Sequence, residues 1–542
     1  MNQEMLELTK KLVEIPSVNN TPGEAEIGRF IESYLRSLPY FQAHPERVVV
    51  QELSKDPLKR RNVFALLLGE KEPKAETLLF HGHTDTVGTE DYGVLEDVAF
   101  LPDSLRERLS KLELSQEVRR DLESGEYLFG RGALDMKSGV AVFLVLLKEY
   151  ARRVKELSGN LLVSFNPVEE NAHTGIIEGL SILKEFKTRY GLHYKLAVNN
   201  DYICPLYQED PHRYIYTGVV GKVLPCFYIQ GRETHVGQCF EGFDATMAAA
   251  GLVEAINYRT EFCDGYEGEY SLPPTVLKMK DLKPWYNVQT ADSAFVYFNL
   301  FVHHTSMTDI TKRLKAVCYE VMEGVGEKMS RRGRAYLNLT GQWAKEPDYS
   351  FLAFTYEELL AVAQEKNSKI GECLAAYTGE LLAGGEDKRE IPMKLIRLLL
   401  KEAGIMKPAI VLFYAAPYCP HNTLAEKDQS LTDTLEAITE KVERASQTDY
   451  RILRFFPSLS DSSYLRIDDS EESLKCLFGN FPQQEQLYPL PVEAIRELDI
   501  PAVNFGCYGK DAHKWTERVN LSYSFGVLPE LIKETVRSFL GS

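Results

Sequence analysis

The chain has 542 residues, of which 44% are hydrophobic and 26% charged. This balance is typical of a folded globular protein and excludes a disordered or fibrous chain. The net charge of −17 argues against a protein that holds nucleic acid or an anionic membrane by general electrostatic attraction. At this length we expect more than one domain.

No targeting or membrane segment is predicted. The longest apolar run, residues 140–147, is too short to cross a membrane. The first fifteen residues lack the basic start and apolar middle of a signal peptide. The nine cysteines form no CxxC pair, which argues against a thiolate zinc finger, and their odd number without a secretion signal suggests reduced thiols. We therefore expect a cytoplasmic protein.

The first part of the chain alternates predicted helices and strands. Apolar residues at helical spacing predict a first helix at residues 4–13. Residues 21–24 offer an N-cap, a proline at the first helical position and a capping-box glutamate, so a second helix begins there. Further elements are strands at residues 47–50, 62–68, 77–81 and 160–165 and a long buried helix at 138–155. This alternation predicts an α/β fold with a mostly parallel sheet covered by helices on both faces.

From about residue 217 the pattern changes to that of an α+β insert. Two helices against an antiparallel sheet are predicted, with strands at 219–230, 293–302 and 334–339 and helices at 245–258 and 309–322. A later strand is predicted at 409–414. We expect three segments, which are the first part of the α/β domain at 1–216, the insert at 217–343 and the second part of the α/β domain at 344–542.

The first chemical motif lies at the end of an apolar strand, in residues 78–88. His83 and Asp85 are two residues apart and point the same way in an extended chain. Loops at the carboxyl ends of parallel strands are where α/β sheets place ligands, and a ligating imidazole usually donates its second N–H to a carboxylate, which fixes the tautomer. A capped strand end with surface histidines explains this motif equally well.

Three further motifs place carboxylates at comparable positions. A glycine-rich turn delivers Asp135 to the start of an apolar helix, where aspartate also serves as a simple helix cap. The strand at 160–165 leads to Glu169 and Glu170, a pair that suits a division of labour between binding a metal and taking a proton from water. A solvated acidic turn is the alternative for this pair. Asp201 follows the next strand.

The last motif contains His513 and Glu517, late in the chain. With the preceding ones it makes a ligand set of carboxylate oxygens and imidazole nitrogens. Such a set suits zinc, manganese or cobalt better than a thiolate site would. Each motif alone is weak evidence for a metal site, and the order of the motifs along the chain is stronger evidence.

Together the motifs resemble those of the M20 family of dinuclear metallohydrolases, which comprises peptidases, carboxypeptidases and N-acyl-amino-acid deacylases. The resemblance covers nearly the whole chain. The matching elements are gHxDxV at His83 and Asp85, GRGxxDmK at residues 130–137, the EE pair at Glu169 and Glu170, aHxxxE at His513 and Glu517, and a G-x-x-x-H signature at Gly231 and His235. Within the family, the length and residues 456–461 resemble the arginine-utilisation branch, the RocB-type proteins.

The resemblance implies a zinc-peptidase-like catalytic domain with an inserted ferredoxin-like lid of the dimerising kind, so we expect a homodimer. It also implies a role for each matching residue. Asp135 would bridge two divalent metal ions, most simply zinc, with manganese or cobalt as alternatives. His83 and Asp201 would complete one metal site, and Glu170 and His513 the other. Asp85 would orient His83, Glu169 would be the general base for a metal-bridging water, and His235 in the lid would stabilise the oxyanion.

The insert departs from the family pattern at two positions. Asp244 stands where many members have an asparagine, and residues 298–301 lack an arginine; both family residues hold a substrate carboxylate. An aspartate attracts an ammonium or guanidinium group, which suggests a basic substrate derived from arginine or ornithine. The preferred alternative is that Asp244 caps the following helix. Five other histidines are expected to be packing or surface residues, namely His81, His173, His303, His304 and His421. Of these, His81 is the likeliest exception.

The predicted function is hydrolysis of an amide bond in a small peptide or N-acyl amino acid, with arginine or ornithine catabolism as the setting that the branch implies. Neither nucleic acid nor a membrane is expected as a partner. A catalytically silent relative that binds a metabolite as a sensor is the alternative from a different class. The sequence does not distinguish a peptidase from a deacylase, because the same chemistry serves both and a fold does not fix a substrate.

Overall fold

The structure is a computed structural model that describes residues 1–341, 347–456 and 460–541. The chain divides into two compact units. The first comprises Met1–Val220, His421–Ile467 and Pro491–Ser542, and the second comprises Gly221–Pro420 and Asp468–Leu490.

Strands and helices are numbered in chain order. The first stretch of the chain contains β1 (Val48–Glu52), β2 (Arg61–Leu68), β3 (Glu72–His83), β4 (Tyr127–Phe129), β5 (Ser158–Asn166), β6 (His193–Asn199), β7 (Arg213–Tyr216) and β8 (Gly218–Val219), with α1 (Asn2–Val13), α2 (Gly23–Ser37), α3 (Pro39–Ala43), α4 (Pro102–Leu109), α5 (Gln116–Ser124), α6 (Ser138–Arg152) and α7 (Thr174–Tyr190).

The middle stretch contains β9 (Gly221–Gln230), β10 (Gly265–Tyr266), β11 (Glu269–Tyr270), β12 (Thr275–Asp281), β13 (Ser293–Val302), β14 (Leu352–Thr355) and β15 (Ala409–Cys419), with α8 (Ala245–Ile256), α9 (Met307–Thr340), α10 (Tyr356–Lys366), α11 (Ile370–Ala383) and α12 (Ile391–Glu402). The last stretch contains β16 (Asn422–Thr423), β17 (Tyr450–Leu453), β18 (Ala502–Asn504), β19 (Gly509–Lys510) and β20 (Arg518–Asn520), with α13 (Gln429–Ser446), α14 (Glu471–Gly479), α15 (Gln484–Leu487), α16 (Val492–Leu498) and α17 (Leu528–Leu540).

The first unit is built on an eight-stranded mixed sheet with the order β1-β2-β5-β3-β6-β18-β7-β17. Its central strands β5, β3, β6 and β18 run parallel to one another. Every residue of β5 is buried, as expected for a strand covered on both faces. The first ten residues of α6 are also buried, which explains its nearly continuous apolar sequence. The α/β fold class is confirmed.

The register of the central strands brings their carboxyl ends to one edge of the sheet. His83 on β3 lies opposite Asn166 on β5, and His81 lies opposite Asn199 on β6. Asn199 in turn pairs with Asn504 on β18. Loops that leave these four strands therefore start beside one another, although they are far apart in sequence.

The second unit contains a five-stranded sheet with the order β12-β13-β9-β15-β14. The prediction of a strand at residues 334–339 was wrong, because these residues lie inside α9 (Met307–Thr340). Helix propagation adds one hydrogen bond per residue once a helix is nucleated, so α9 continues through them.

The unit also extends beyond the predicted boundary at residue 343. The cause is β15, which pairs with β9 along most of its length, and β14, which pairs with β15. These pairings are non-local and left no mark in the sequence pattern. Among the described residues, no helix combines the length and the apolar character needed to cross a membrane.

Candidate metal centre

Six of the predicted metal-centre residues are delivered to the same edge of the sheet in the first unit. His83 is the last residue of β3, and Glu169 and Glu170 follow the end of β5. Asp201 lies just beyond β6, and His513 follows β19. Asp135 lies in a short turn of π-helix, Ala133–Lys137, directly before α6.

Asp135 is the centre of this group. Its Oδ1 lies 2.9 Å from Nε2 of His83, and its Oδ2 lies 3.0 Å from Nε2 of His513. His513 Nε2 also lies 2.9 Å from Oε1 of Glu170. The two carboxylate oxygens of Asp135 therefore face two different histidines, which is the arrangement required of a bridging ligand.

The remaining carboxylates complete a continuous cluster. In three overlapping sets of residues, candidate ligand atoms lie within 4.8 Å of one another. The sets are His83 with Asp135 and Asp201, His83 with Glu169 and Glu170, and Asp135 with Glu170 and His513. His83 and Asp201 are each 3% exposed, whereas the His513 side chain is 47% exposed. The cluster is thus buried on the side of the sheet and open on the side of His513.

The pKa values reflect this crowding of charge. Burial acts to lower the pKa of His513, but its hydrogen bonds to Asp135 and Glu170 raise it to about 11. Burial would raise the pKa of Asp135, yet the hydrogen bonds from His513 and His83 hold it well below its usual value. Burial and the charge of Asp135 raise the pKa of Asp201 well above its usual value. The ionised forms of Asp135 and Asp201 are thus stabilised by nearby positive charge.

Asp85 contacts His83 through its main chain. The carbonyl oxygen of Asp85 lies 3.0 Å from Nδ1 of His83, whereas its carboxylate Oδ1 is 3.7 Å away. The carboxylate instead accepts the N–H groups of Glu169 and Glu170, each at 3.0 Å. Asp85 therefore fixes both the ring of His83 and the backbone of the two glutamates, and the second contact was not foreseen from the sequence.

These contacts show that the residues fit divalent cations. Because a carbonyl oxygen only accepts, Nδ1 of His83 carries the proton in its neutral form, and its Nε2 lone pair faces Asp135. A lone pair that faces a carboxylate at this distance is repelled unless a proton or a cation lies between them. If all four buried or nearly buried carboxylates are ionised, they carry a charge of −4, which two divalent cations would neutralise. Carboxylate and imidazole donors together suit zinc, manganese or cobalt.

Glu517 holds the loop that carries Asp135. Its buried carboxylate accepts the backbone N–H groups of Leu134 at 3.0 Å and Asp135 at 3.2 Å. The same carboxylate pairs with Arg131 at 2.8 Å, and Arg131 also pairs with Asp91 at 2.7 Å. The motif match at Glu517 therefore corresponds to a residue that positions Asp135.

His173 is the functional-site neighbour that the sequence interpretation missed. It was expected to be a packing or surface residue, but its Nδ1 lies 3.9 Å from Oε1 of Glu169 and 3.0 Å from Oδ1 of Asp461. The available signal was its position shortly after the Glu169-Glu170 pair. His81 is fully buried and contacts Ser462 at 2.9 Å, and burial lowers its pKa to about 3. Of the 456–461 motif, residues 457–459 lie outside the described residues.

The two candidate residues of the second unit have local roles there. His235 is exposed, and its Nδ1 accepts the N–H of Gly237 at 3.0 Å. Asp244 is the N-cap of α8, where its Oδ1 accepts the N–H of Thr246 at 2.8 Å. The preferred interpretation of Asp244 as a helix cap is therefore the one that the structure supports.

Comparison with known proteins agrees with the motifs. Residues 79–523 match the model of peptidase family M20/M25/M40. The chain is 37% identical over 542 residues to Protein RocB of Bacillus subtilis strain 168, covering 99% of this chain and 94% of that protein. It is 32% identical over 540 residues to the uncharacterized protein YqjN of the same strain, covering 99% and 96%.

A solved structure shares the fold. A tripeptidase from Staphylococcus aureus superposes with a TM-score of 0.52 and 14% identity, covering 100% of this chain and 99% of that chain. The family match and the similarity to Protein RocB confirm the resemblance found in the sequence. The chain belongs to peptidase family M20/M25/M40 and is an enzyme of that family.

Proposed function

We propose that the protein is a metal-dependent hydrolase that cleaves an amide bond in a small peptide or an N-acyl amino acid. The observation that carries this proposal is the convergence on Asp135 of two histidines and further carboxylates from distant parts of the chain. We assign His83, Asp135, Glu170, Asp201 and His513 as the ligands of two divalent cations, with zinc as the first candidate.

The cations would polarise the scissile carbonyl group and lower the pKa of water towards neutrality. Glu169 then acts as the general base, taking a proton from water at its carboxylate and returning it to the leaving nitrogen. Burial and the charges of Glu170 and Asp461 raise the pKa of Glu169 well above its usual value, against the influence of His83 and His173.

His235 is assigned as the donor to the carbonyl oxygen when substrate is bound. Charge that develops on this oxygen requires a hydrogen-bond donor, and the loss of one such donor typically costs about 2.7–4 kcal/mol. The exposure of His235 leaves its ring accessible to a ligand.

The decisive experiment combines metal analysis with a substrate screen. The purified protein is stripped with a chelator, reloaded with zinc, manganese or cobalt, and assayed against dipeptides and N-acyl derivatives of arginine, ornithine and citrulline. These substrates come first because of the resemblance to the arginine-utilisation branch. Turnover that disappears on chelation and returns with metal supports the proposal. Full metal loading without turnover of any amide favours the sensor alternative.

We also propose that two copies associate through the edge of the second unit's sheet. β12 is an edge strand, and Leu277 and Met279 on it are 52% and 46% exposed. An unpaired strand edge that carries exposed apolar side chains is a site for pairing with another chain, and the lysines that alternate with them, Lys278 and Lys280, pair with Glu390. Size-exclusion chromatography with light scattering should give twice the mass of the chain for the wild type and the mass of one chain for Leu277→Lys. A wild-type monomer contradicts this proposal.

A further inference from the structure

A buried polar segment lies next to the candidate metal centre, and none of its residues is assigned a role in the reaction proposed above. This segment, Ser460 to Ser463, is between 0% and 4% exposed at each residue. Burial of hydroxyl and carboxylate groups is unfavourable unless they are hydrogen-bonded. The segment therefore needs partners, and these partners indicate what it does.

Each of its first three residues contacts a different element of the sheet edge. Ser460 accepts a hydrogen bond from Asn199 at the end of β6, at 2.6 Å. Asp461 contacts His173, directly before α7, at 3.0 Å. Ser462 contacts His81 on β3 at 2.9 Å. The segment thus lies against the carboxyl ends of two central strands and against the loop that carries Glu169.

Asp461 contacts His173 in a way that fixes the imidazole. Nδ1 of His173 lies at hydrogen-bond distance from Oδ1 of Asp461, so the ring donates its Nδ1–H to the carboxylate. The ring also lies 5.1 Å from that of Tyr464, at an interplanar angle of 44°, and His173 is only 1% exposed. Its position and its tautomer are therefore both determined.

The fixed ring faces the carboxylate of Glu169. The distance from Nδ1 of His173 to Oε1 of Glu169 is 3.9 Å, and ligand atoms of Glu169, His173 and Asp461 all lie within 4.8 Å of one another. Without the imidazole, two buried carboxylates would face each other at close range, which is unfavourable. At 3.9 Å the contact between His173 and Glu169 is longer than a hydrogen bond, so the imidazole acts on the Glu169 carboxylate electrostatically.

We propose that Asp461 and His173 are positioning residues that hold the carboxylate of Glu169 in the orientation needed for proton transfer. The inference rests on the proposed role of Glu169 as the general base. It assigns a function to the described end of the 456–461 motif, which marks the branch and has no counterpart among the family elements matched above. A hydrogen bond from Nδ1 of His173 accounts for its distance of 3.0 Å from Oδ1 of Asp461, and metal analysis of the variants separates this hydrogen bond from a shared cation.

The test uses three variants of the full chain. Asp461→Ala removes the acceptor of His173, whereas Asp461→Asn keeps the shape and an amide oxygen that accepts a weaker, uncharged hydrogen bond. Ser462→Ala is the matched control, because Ser462 is the adjacent residue and is equally buried. The substitution removes the contact of its hydroxyl with His81 and keeps the backbone contacts with Ser460 and Asn422. Crystal structures of the zinc-loaded proteins, metal content, Tm and steady-state kinetics are measured for each.

We expect Glu169 to change its side-chain orientation, or to adopt several, in Asp461→Ala, while the ligands around Asp135 and the metal content remain as in the wild type. On a substrate from the screen, kcat should fall about 10- to 100-fold, the range typical of residues that orient a functional side chain without contacting the substrate. KM should change little, Asp461→Asn should lie between Asp461→Ala and the wild type, and Ser462→Ala should match the wild type.

Three results would overturn the inference. The first is an unchanged Glu169 orientation in both Asp461 variants. The second is a lower Tm with unchanged kcat, which would make Asp461 a purely structural residue. The third is an additional equivalent of metal in the wild type that is lost in Asp461→Asn, which would make the three residues a cation site. If the wild type hydrolyses no amide, the proposed function fails, and the crystallographic comparison still decides whether Asp461 positions Glu169.

Discussion

The two units hold their predicted functional residues in opposite surroundings. In the first unit, His83, Asp135 and Asp201 are almost completely buried, and their ligand atoms lie within 4.8 Å of one another. In the second unit, the side chain of His235 is exposed and accepts the backbone N–H of Gly237. Residues of the first kind act on one another, so their geometry is set before substrate arrives. The role proposed for His235 would instead depend on contact with a bound substrate.

The largest effect should come from the base in the buried cluster. In Glu169→Gln, kcat should fall about 10²- to 10⁴-fold, because the amide cannot accept a proton from water. Metal content and Tm should stay close to the wild type, since glutamine occupies the same space. Steady-state kinetics with metal analysis tests this, and a variant that keeps more than a tenth of the activity would remove Glu169 from the reaction.

A smaller effect is expected from the exposed histidine of the second unit. His235→Ala should lower kcat about 10²- to 10³-fold through loss of the oxyanion donor. Tm should not change, because the side chain is exposed. His235→Gln, which keeps a donor, should recover part of the loss. Equal activity of the wild type and His235→Ala would show that His235 is not the oxyanion donor.

A moderate effect is expected where a side chain acts through the backbone. Glu517→Gln should weaken metal binding or activity about 10- to 100-fold, because Glu517 holds the N–H groups of Leu134 and Asp135. Asp91→Asn is the control, since Asp91 pairs with the same arginine, Arg131, through a different nitrogen from the one that contacts Glu517. Metal titration by calorimetry compares the two variants. If both lose affinity equally, Glu517 acts only through the ion pair.

The smallest effect is expected at Asp244. Asp244→Ala should lower the free energy of unfolding by about 0.5–2 kcal/mol through loss of the cap of α8, and Asp244→Asn by much less because asparagine caps equally well. The preference between basic and acidic amide substrates should be the same in Asp244→Asn and the wild type. A shift of that preference away from basic substrates would restore the hypothesis that Asp244 selects the substrate.

The sequence predicted the buried cluster because the physics that builds it is local. His83, Glu170 and Asp201 follow apolar strands, Asp135 precedes an apolar helix, and parallel strands place their carboxyl ends at one edge. His513 follows the two-residue strand β19 and was assigned from the family motif. His83 on β3 and the glutamates after β5 could thus be assigned to one site without a structure. The structure groups them as expected and adds the distances.

The features that escaped prediction depend on contacts between distant segments. Whether residues 409–414 join the first or the second sheet is decided by pairing with β9, which no local pattern encodes. The contact between His173 and Asp461 joins residues 288 positions apart. The end of α9 was missed for a different reason, since a cooperative helix overrides the local preference of residues 334–339.

The order of the clustered residues along the polypeptide has a consequence for biosynthesis. His83 is synthesised 430 positions before His513, which faces both Asp135 and Glu170. A ribosome-bound intermediate therefore lacks one side of the cluster until position 513 has been added. In a chain that stopped before this position, Asp135 and Glu170 would lack the histidine that faces them both.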